Sequence, residues 1–169
     1  MTHGMDVVVI ELDDPRRDDV RSLLEQHLAF ANEHTPPEDV HALAIDGLLH
    51  PTISLFSLRA DGELLGVGAL KQLDPTHAEV KSMHTARAAR GRGAGRAMVE
   101  HLLAVAAARG VRRVSLETGS MEAFAPARSL YASLGFRPCE PFDGYWESPN
   151  SVCMTVLLDD GDGVAPARP

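Results

Sequence analysis

The sequence RGRGAGR at residues 90–96 places three glycines within five positions, between arginines. Glycine lets the backbone approach a ligand closely and adopt a positive φ angle. Apolar residues from Met98 to Ala106 then recur at helical spacing, which predicts a helix directly after this stretch. A helix start offers unpaired N–H groups and the positive end of the helix dipole. Residues 90–96 therefore predict a loop that binds an anion, most often a phosphate.

The spacing within the stretch distinguishes between kinds of phosphate loop. A P-loop needs Lys and then Ser or Thr where Arg96 and Ala97 stand, and a dinucleotide fingerprint needs a third glycine at Arg96. The stretch instead matches the pattern [Q/R]-x-x-G-x-[G/A] through Arg90, Gly93 and Gly95. The pattern lies between two predicted strands, at residues 78–84 and 111–118. A short helix from about residue 123 follows and ends in SLYASLGF at residues 129–136.

The order strand, phosphate loop, helix, strand, helix and L-Y-x-x-x-G-F resembles the GNAT N-acetyltransferases over residues 5–158. The segments EVKSM, LETGSM, FAPARSLY and PNSVCMTV, which begin at residues 79, 116, 124 and 149, are similar to the YsnE-like bacterial branch of that family. The resemblance implies a GNAT fold and acetyl-CoA as cosubstrate, with its diphosphate on the glycine-rich loop.

The rest of the chain supplies further strands and helices. Strands are predicted at 7–12, 53–58, 64–70 and 152–158, with a hairpin turn at Asp61-Gly62. Apolar residues from Val20 to Ala31 predict a helix with one buried face, and a second short helix is predicted over 38–49. We expect a single α+β domain over residues 1–158, with a mixed, mostly antiparallel sheet and helices on both faces. Residues 159–169 are charged and rich in glycine and proline, which predicts a flexible tail.

Composition narrows the possible partners. The 169 residues include 16 basic and 24 acidic side chains, a net charge of −8, which argues against nucleic acid as the main partner. No apolar run approaches the roughly 20 residues that cross a bilayer, the N-terminus lacks a signal-peptide pattern, and two cysteines do not suggest a disulfide scaffold. A cytoplasmic protein without a membrane partner is expected, either a monomer or a homodimer.

Acetyl transfer from a thioester to an amine needs a base for the amine, a donor for the developing oxyanion and a proton for the thiolate. The resemblance implies Glu79 as the base, because it lies eleven residues before Arg90 on the strand that enters the loop. It implies Tyr131, in L-Y-x-x-x-G-F, as the general acid. An ion pair with Lys81 is the alternative for Glu79, and simple packing is the alternative for Tyr131.

The resemblance also implies how the cosubstrate is held. The backbone of Met83, His84 and Thr85 would carry the pantetheine arm, and the loop would hold the phosphates through Arg90, Gly91, Arg92, Gly93, Ala94, Gly95 and Arg96. One position departs from the family: Phe124 stands seven residues before Tyr131, where many members have an asparagine. Apolar packing is expected there instead. The eight histidines show no zinc-ligand spacing, so no metal is expected.

The expected function is transfer of an acetyl group from acetyl-CoA to a primary amine of a small molecule, directly in a ternary complex. A protein or peptide amine is the alternative acceptor, and a non-catalytic acyl-CoA-binding module is the alternative class. The presence of both Glu79 and Tyr131 favours catalysis. The acceptor site is expected between the first two helices and residues 142–146.

Overall fold

The computed structural model describes residues 7–158, which form an α+β fold. Its strands are β1 Val8–Leu12, β2 Ile53–Ala60, β3 Glu63–Asp74, β4 His77–Thr85, β5 Arg113–Gly119, β6 Arg137–Pro138 and β7 Ser151–Leu157. Its α-helices are α1 Asp18–His34, α2 Ala94–Ala108 and α3 Ala125–Ser133. Within the described residues no helix is long and apolar enough to span a membrane. The tail predicted at 159–169 lies outside them.

The strands form one sheet in the order β1-β2-β3-β4-β5-β7-β6. Every neighbouring pair is antiparallel except β4 and β5, which are parallel. The predicted turn between β2 and β3 is present, with φ of 49° at Asp61 and 83° at Gly62, as a type I′ hairpin requires. The predicted fold class, a mixed and mostly antiparallel sheet, is confirmed.

Helices pack on both faces of this sheet. The apolar stripe of α1, with Val20, Leu23 and Leu24, forms one buried cluster with β2 and β3, including Ala69. The stripe of α2 and the inner side of α3 form a second cluster that includes Leu70. Since neighbouring residues of a strand point to opposite faces, the two clusters lie on opposite sides of the sheet.

The helix predicted over 38–49 is wrong. The structure has two short 3₁₀ turns, Pro37–Asp39 and Ile45–Leu49, separated by irregular backbone. Short 3₁₀ turns are common in connectors, and His41 in the segment between them packs against Tyr145 and Trp146. The irregular segment 40–44 instead becomes a wall of the site described below.

The parallel strands β4 and β5 separate after a short paired stretch. Their register runs only from His77 opposite Arg113 to Glu79 opposite Ser115, although both strands continue well beyond it. Ser82 in β4 has a φ of 55°, and the register between β3 and β4 shifts nearby, between Val67 and Ala69. Such a bulge bends a strand locally, so β4 diverges from β5 and a cleft opens between them.

Candidate active site

The cleft between β4 and β5 has a volume of about 490 Å³. Its floor and sides come from both separated strands, from the loop before α2, and from the first turns of α3. On the other side it reaches α1, residues 39–43 and Tyr145. A single cleft thus connects the predicted phosphate loop with the predicted acceptor region.

The phosphate loop ends in a helix start that no side chain caps. Helix α2 begins at Ala94, with Gly93 as its N-cap in the left-handed conformation at a φ of 81°. Gly91 is also left-handed, with a φ of 78°. A Cβ atom built at either glycine meets no protein atom within 4 Å, so open space lies against the backbone there. Uncapped N–H groups beside open space fit the diphosphate of acetyl-CoA.

The loop residues divide into two groups by position. Arg90, Gly91, Gly93, Ala94 and Gly95 line the cleft. Arg92 and Arg96 are not among the residues that line it. The Arg96 side chain donates to Ser133 Oγ at 2.7 Å and lies 3.6 Å from the Glu100 carboxylate. Its guanidinium therefore joins α2 to α3.

The end of β4 lines the cleft with Met83, His84 and Thr85, and its pairing with β5 has already ended at Glu79. Backbone groups on the β5 side of this strand end are therefore placed to bind an extended ligand as an added strand would. Close by, the Phe124 ring packs edge-on against Phe30, with ring centroids 5.3 Å apart. A Cβ at Gly119 would lie 2.4 Å from that ring.

Tyr131 lines the cleft from α3 and is 6% exposed. Burial raises the pKa of its phenol well above the ordinary value, so the phenol keeps its proton at neutral pH. Its ring packs edge-on against Phe136, with ring centroids 5.8 Å apart. The side chain is both a packing element of the core and a protonated group at the cleft.

Glu79 is 1% exposed and lies in a buried hydrogen-bonded cluster with Lys81 and Tyr145. Glu79 Oε2 accepts from Lys81 Nζ at 3.1 Å and from the Tyr145 hydroxyl at 2.5 Å. Lys81 Nζ also donates to the Tyr145 oxygen at 2.8 Å. The predicted ion pair between Glu79 and Lys81 is therefore present. Residues 142–146 are expected at the acceptor site, but the contact of Tyr145 with Glu79, 66 residues earlier in the chain, is not among the sequence-based predictions.

A second carboxylate in the cleft, Glu117, is not in the sequence-based prediction of the site. Glu117 is half-buried on β5, just beyond the last residue paired with β4, and it accepts a hydrogen bond from Ser151 Oγ at 2.8 Å. Burial raises the pKa of its carboxyl to about 7. The sequence signal that could have identified Glu117 is its place as a lone acidic residue in a predicted strand whose other face is apolar. It lies in the segment LETG, which follows the helix after the phosphate loop.

Within residues 7–158 no group of three or more His, Cys, Asp or Glu side chains is placed to hold a metal ion.

A splayed parallel pair beside an uncapped glycine loop is the arrangement that the resemblance implies for an acetyl-CoA-dependent acyltransferase. Residues 17–136 match the Acetyltransferase (GNAT) family, and the chain belongs to that family. It is 46% identical over 149 residues to the N-acetyltransferase YsnE of Bacillus subtilis, a match that covers 88% of this chain and 99% of that protein. The predicted YsnE-like branch is thereby confirmed.

Two further relatives have similar coverage. The chain is 38% identical to the N-acetyltransferase YedL of Escherichia coli, over 88% of this chain and 94% of that protein. It is 32% identical to the IAA acetyltransferase of Azospirillum brasilense, over 89% of this chain and 98% of that protein.

Solved structures share the fold at lower identity. A GNAT acetyltransferase from Elizabethkingia anophelis with acetyl-CoA bound aligns at a TM-score of 0.66 and 19% identity, covering 89% of this chain and 98% of that one. An acetyltransferase from Bacillus subtilis in complex with CoA aligns at a TM-score of 0.68 and 21% identity, covering 90% and 99%.

Proposed function

We propose that this protein transfers the acetyl group of acetyl-CoA directly to the primary amine of a small molecule in a ternary complex. The observation that carries the proposal is the shared cleft. The uncapped loop at residues 90–95, the expected acceptor region, two carboxylates and a protonated phenol all line this one cleft. Direct transfer needs both substrates in one space, with a proton acceptor and a proton donor beside them.

Two carboxylates compete for the role of base. Glu79 is the base that the sequence predicts, but its Oε2 already accepts from Lys81 and Tyr145. Glu117 lines the same cleft with one hydrogen bond, from Ser151, and with a pKa of about 7, which suits proton uptake at neutral pH. We assign the base to Glu117 and give Glu79 the task of fixing Lys81 and Tyr145.

The other end of the reaction needs a proton for the departing thiolate. Tyr131 lines the cleft beside the loop and stays protonated because burial raises its pKa. We assign it as the general acid. Acetyl-CoA itself supplies the activated acyl group, so no covalent intermediate on the protein is required.

The experiment is a thiol-release assay with acetyl-CoA and a panel of amines, run alongside calorimetric binding of acetyl-CoA. The panel includes monoamines, amino acids, a polyamine and a peptide N-terminus. IAA is tested beside the amines because one relative bears the name IAA acetyltransferase. Amine-dependent thiol release with a mass-verified N-acetyl product supports the proposal. Tight acetyl-CoA binding without turnover on any amine would instead assign the protein to the non-catalytic class.

A further inference from the structure

At the acceptor end of the cleft, hydrogen bonds of Asp39 connect two segments that are distant in sequence. Asp39 Oδ1 accepts from Trp146 Nε1 at 3.2 Å, and Oδ2 accepts from Ser148 Oγ at 2.8 Å and Asn150 Nδ2 at 3.1 Å. These bonds join the segment that follows α1 to the segment before β7, more than 100 residues away. The Asp39 carboxylate therefore accepts its hydrogen bonds from the protein itself, and its role is to position the segments that form this side of the cleft.

The ring of His41 joins the same two segments. It lies edge-on to Tyr145 and Trp146, with ring centroids 4.9 and 4.7 Å apart. Its Nε2 atom is buried and has no hydrogen-bond partner among the described residues. Phe30, Val40 and Leu43 line the cleft nearby. Aromatic and aliphatic walls of this kind suit an apolar ligand body.

Among the described residues, two cationic side chains line the cleft, Lys81 and Arg90. Lys81 is 10% exposed and bonded to Glu79 and Tyr145, while Arg90 belongs to the phosphate loop. Burial lowers the pKa of His41 and His84, and lowers that of His27 to about 4, so these rings are neutral at pH 7. Apart from Arg90, which the proposed function assigns to the diphosphate of acetyl-CoA, no described residue that lines the cleft offers an uncommitted positive charge to a carboxylate.

We infer that the acceptor is a small primary amine on an apolar, aromatic-sized body, with no carboxylate next to the amine. The inference rests on the proposed function and names its substrate class. An ammonium group entering beside Glu117 is attracted by that carboxylate, and Glu117 then takes its proton. A carboxylate on the same carbon would enter beside Glu79 and Glu117 without a free partner, and like charges at close range repel each other.

Matched pairs of acceptors test the inference. Phenethylamine and phenylalanine, and tryptamine and tryptophan, differ only in the carboxylate. We expect kcat/KM at about pH 8 to be at least about 30-fold higher for each amine than for its amino acid. Equal or higher kcat/KM for the amino acids overturns the inference, and so does a clear preference for spermidine or for a peptide N-terminus. If amino acids or spermidine are preferred, amine-dependent thiol release still supports the proposed function, whereas a preference for a peptide N-terminus also contradicts its small-molecule acceptor.

A variant tests the physical reason. Glu79→Gln removes the carboxylate that occupies Lys81 and should move the ratio of kcat/KM, amine to amino acid, at least about tenfold toward the amino acid. The matched control Glu63→Gln removes an equal charge from an exposed position at the start of β3 and should leave the ratio unchanged. If Glu79→Gln abolishes turnover, calorimetry on the CoA-saturated variant measures the Kd of the amine and of its amino acid, and the ratio of these Kd values replaces the ratio of kcat/KM. An unchanged ratio in both measurements contradicts the inference.

Discussion

Replacing Glu117 by glutamine should lower activity and raise stability in the same variant. The carboxyl is half-buried with one hydrogen bond from Ser151, and burial raises its pKa from 4.5 to about 7. If Glu117 takes the proton of the amine, glutamine cannot replace it, and kcat should fall by about 10²- to 10⁴-fold. Glutamine nearly preserves the shape, so acetyl-CoA affinity should stay within a few-fold.

The size of the stability effect follows from the same pKa. The folded protein binds this proton more tightly than the unfolded chain does. The resulting stabilisation is fully present below a pH of about 4.5 and is lost as the pH rises through about 7. At 1.36 kcal/mol per pKa unit the whole effect is about 3 kcal/mol, and most of it, about 2.5 kcal/mol, falls between about pH 5 and pH 8. Glutamine does not ionise, so the variant escapes this loss.

Two measurements on one protein preparation check the predicted changes in stability and in kcat. Urea unfolding of wild type and Glu117→Gln at about pH 5 and pH 8 gives the change in the free energy of unfolding. We expect the stability advantage of the variant to grow by about 2–3 kcal/mol between the two. Steady-state kinetics give kcat. The control Glu63→Gln, at an exposed site, should change neither quantity.

Each of the two expectations for Glu117→Gln, the lower kcat and the pH-dependent gain in stability, can be contradicted separately. Wild-type kcat in a folded Glu117→Gln variant would remove Glu117 from the mechanism and return the base to Glu79 or to a water. A stability difference that is equal at both pH values would mean that Glu117 is not the buried, weakly solvated acid that the structure describes.

Three other predictions concern separate parts of the cleft. Gly93→Ala should weaken acetyl-CoA binding at least about tenfold, because the added Cβ enters the open space at the loop. The control Gly62→Ala, which has a similar φ and open surroundings in the β2–β3 hairpin, should leave the affinity unchanged. Calorimetry gives the acetyl-CoA Kd of both variants. Tyr131→Phe should lower kcat by about 10²- to 10⁴-fold with little change in the Kd of acetyl-CoA, and an unchanged kcat would leave it a packing residue. Asp39→Asn should raise the acceptor KM severalfold and lower Tm, with the acetyl-CoA KM unchanged; equal effects on both KM values would contradict a role confined to the acceptor wall.

The fold and the phosphate loop could be predicted from the sequence because their signals are local. Gly91 and Gly93 both adopt the positive φ for which glycine is needed, and the helix after them follows from its own apolar spacing. The hairpin turn at Asp61-Gly62 is equally local. Such features are encoded within a few consecutive residues and need no knowledge of the tertiary structure.

The location of the acceptor site near residues 142–146 is among the sequence-based expectations, but the contacts that build this half of the cleft could not be predicted in the same way. Tyr145 reaches Glu79 across 66 residues of chain, and Trp146 reaches Asp39 across 107. Neither contact leaves a periodic trace in the sequence. The predicted helix over 38–49 failed for a related reason: segment 40–44 is irregular because it packs against the segment that carries Tyr145 and Trp146, and tertiary packing outweighs local propensity.

The two carboxylates of the cleft differ because one has Lys81 and the other does not. Lys81 donates a hydrogen bond to Glu79. Burial is the largest influence on the pKa of Glu117 and raises it, and the charge of Glu79 raises it further. The charge of Lys81 lowers that pKa, but by less than burial raises it. Glu79→Gln therefore acts on Glu117 in one direction: it removes a negative charge and releases the ammonium of Lys81. The acidic limb of the pH–rate profile should then move to lower pH while kcat persists. If Glu79 were itself the base, the same substitution would abolish that limb together with kcat, so one pH profile of one variant decides which carboxylate accepts the proton.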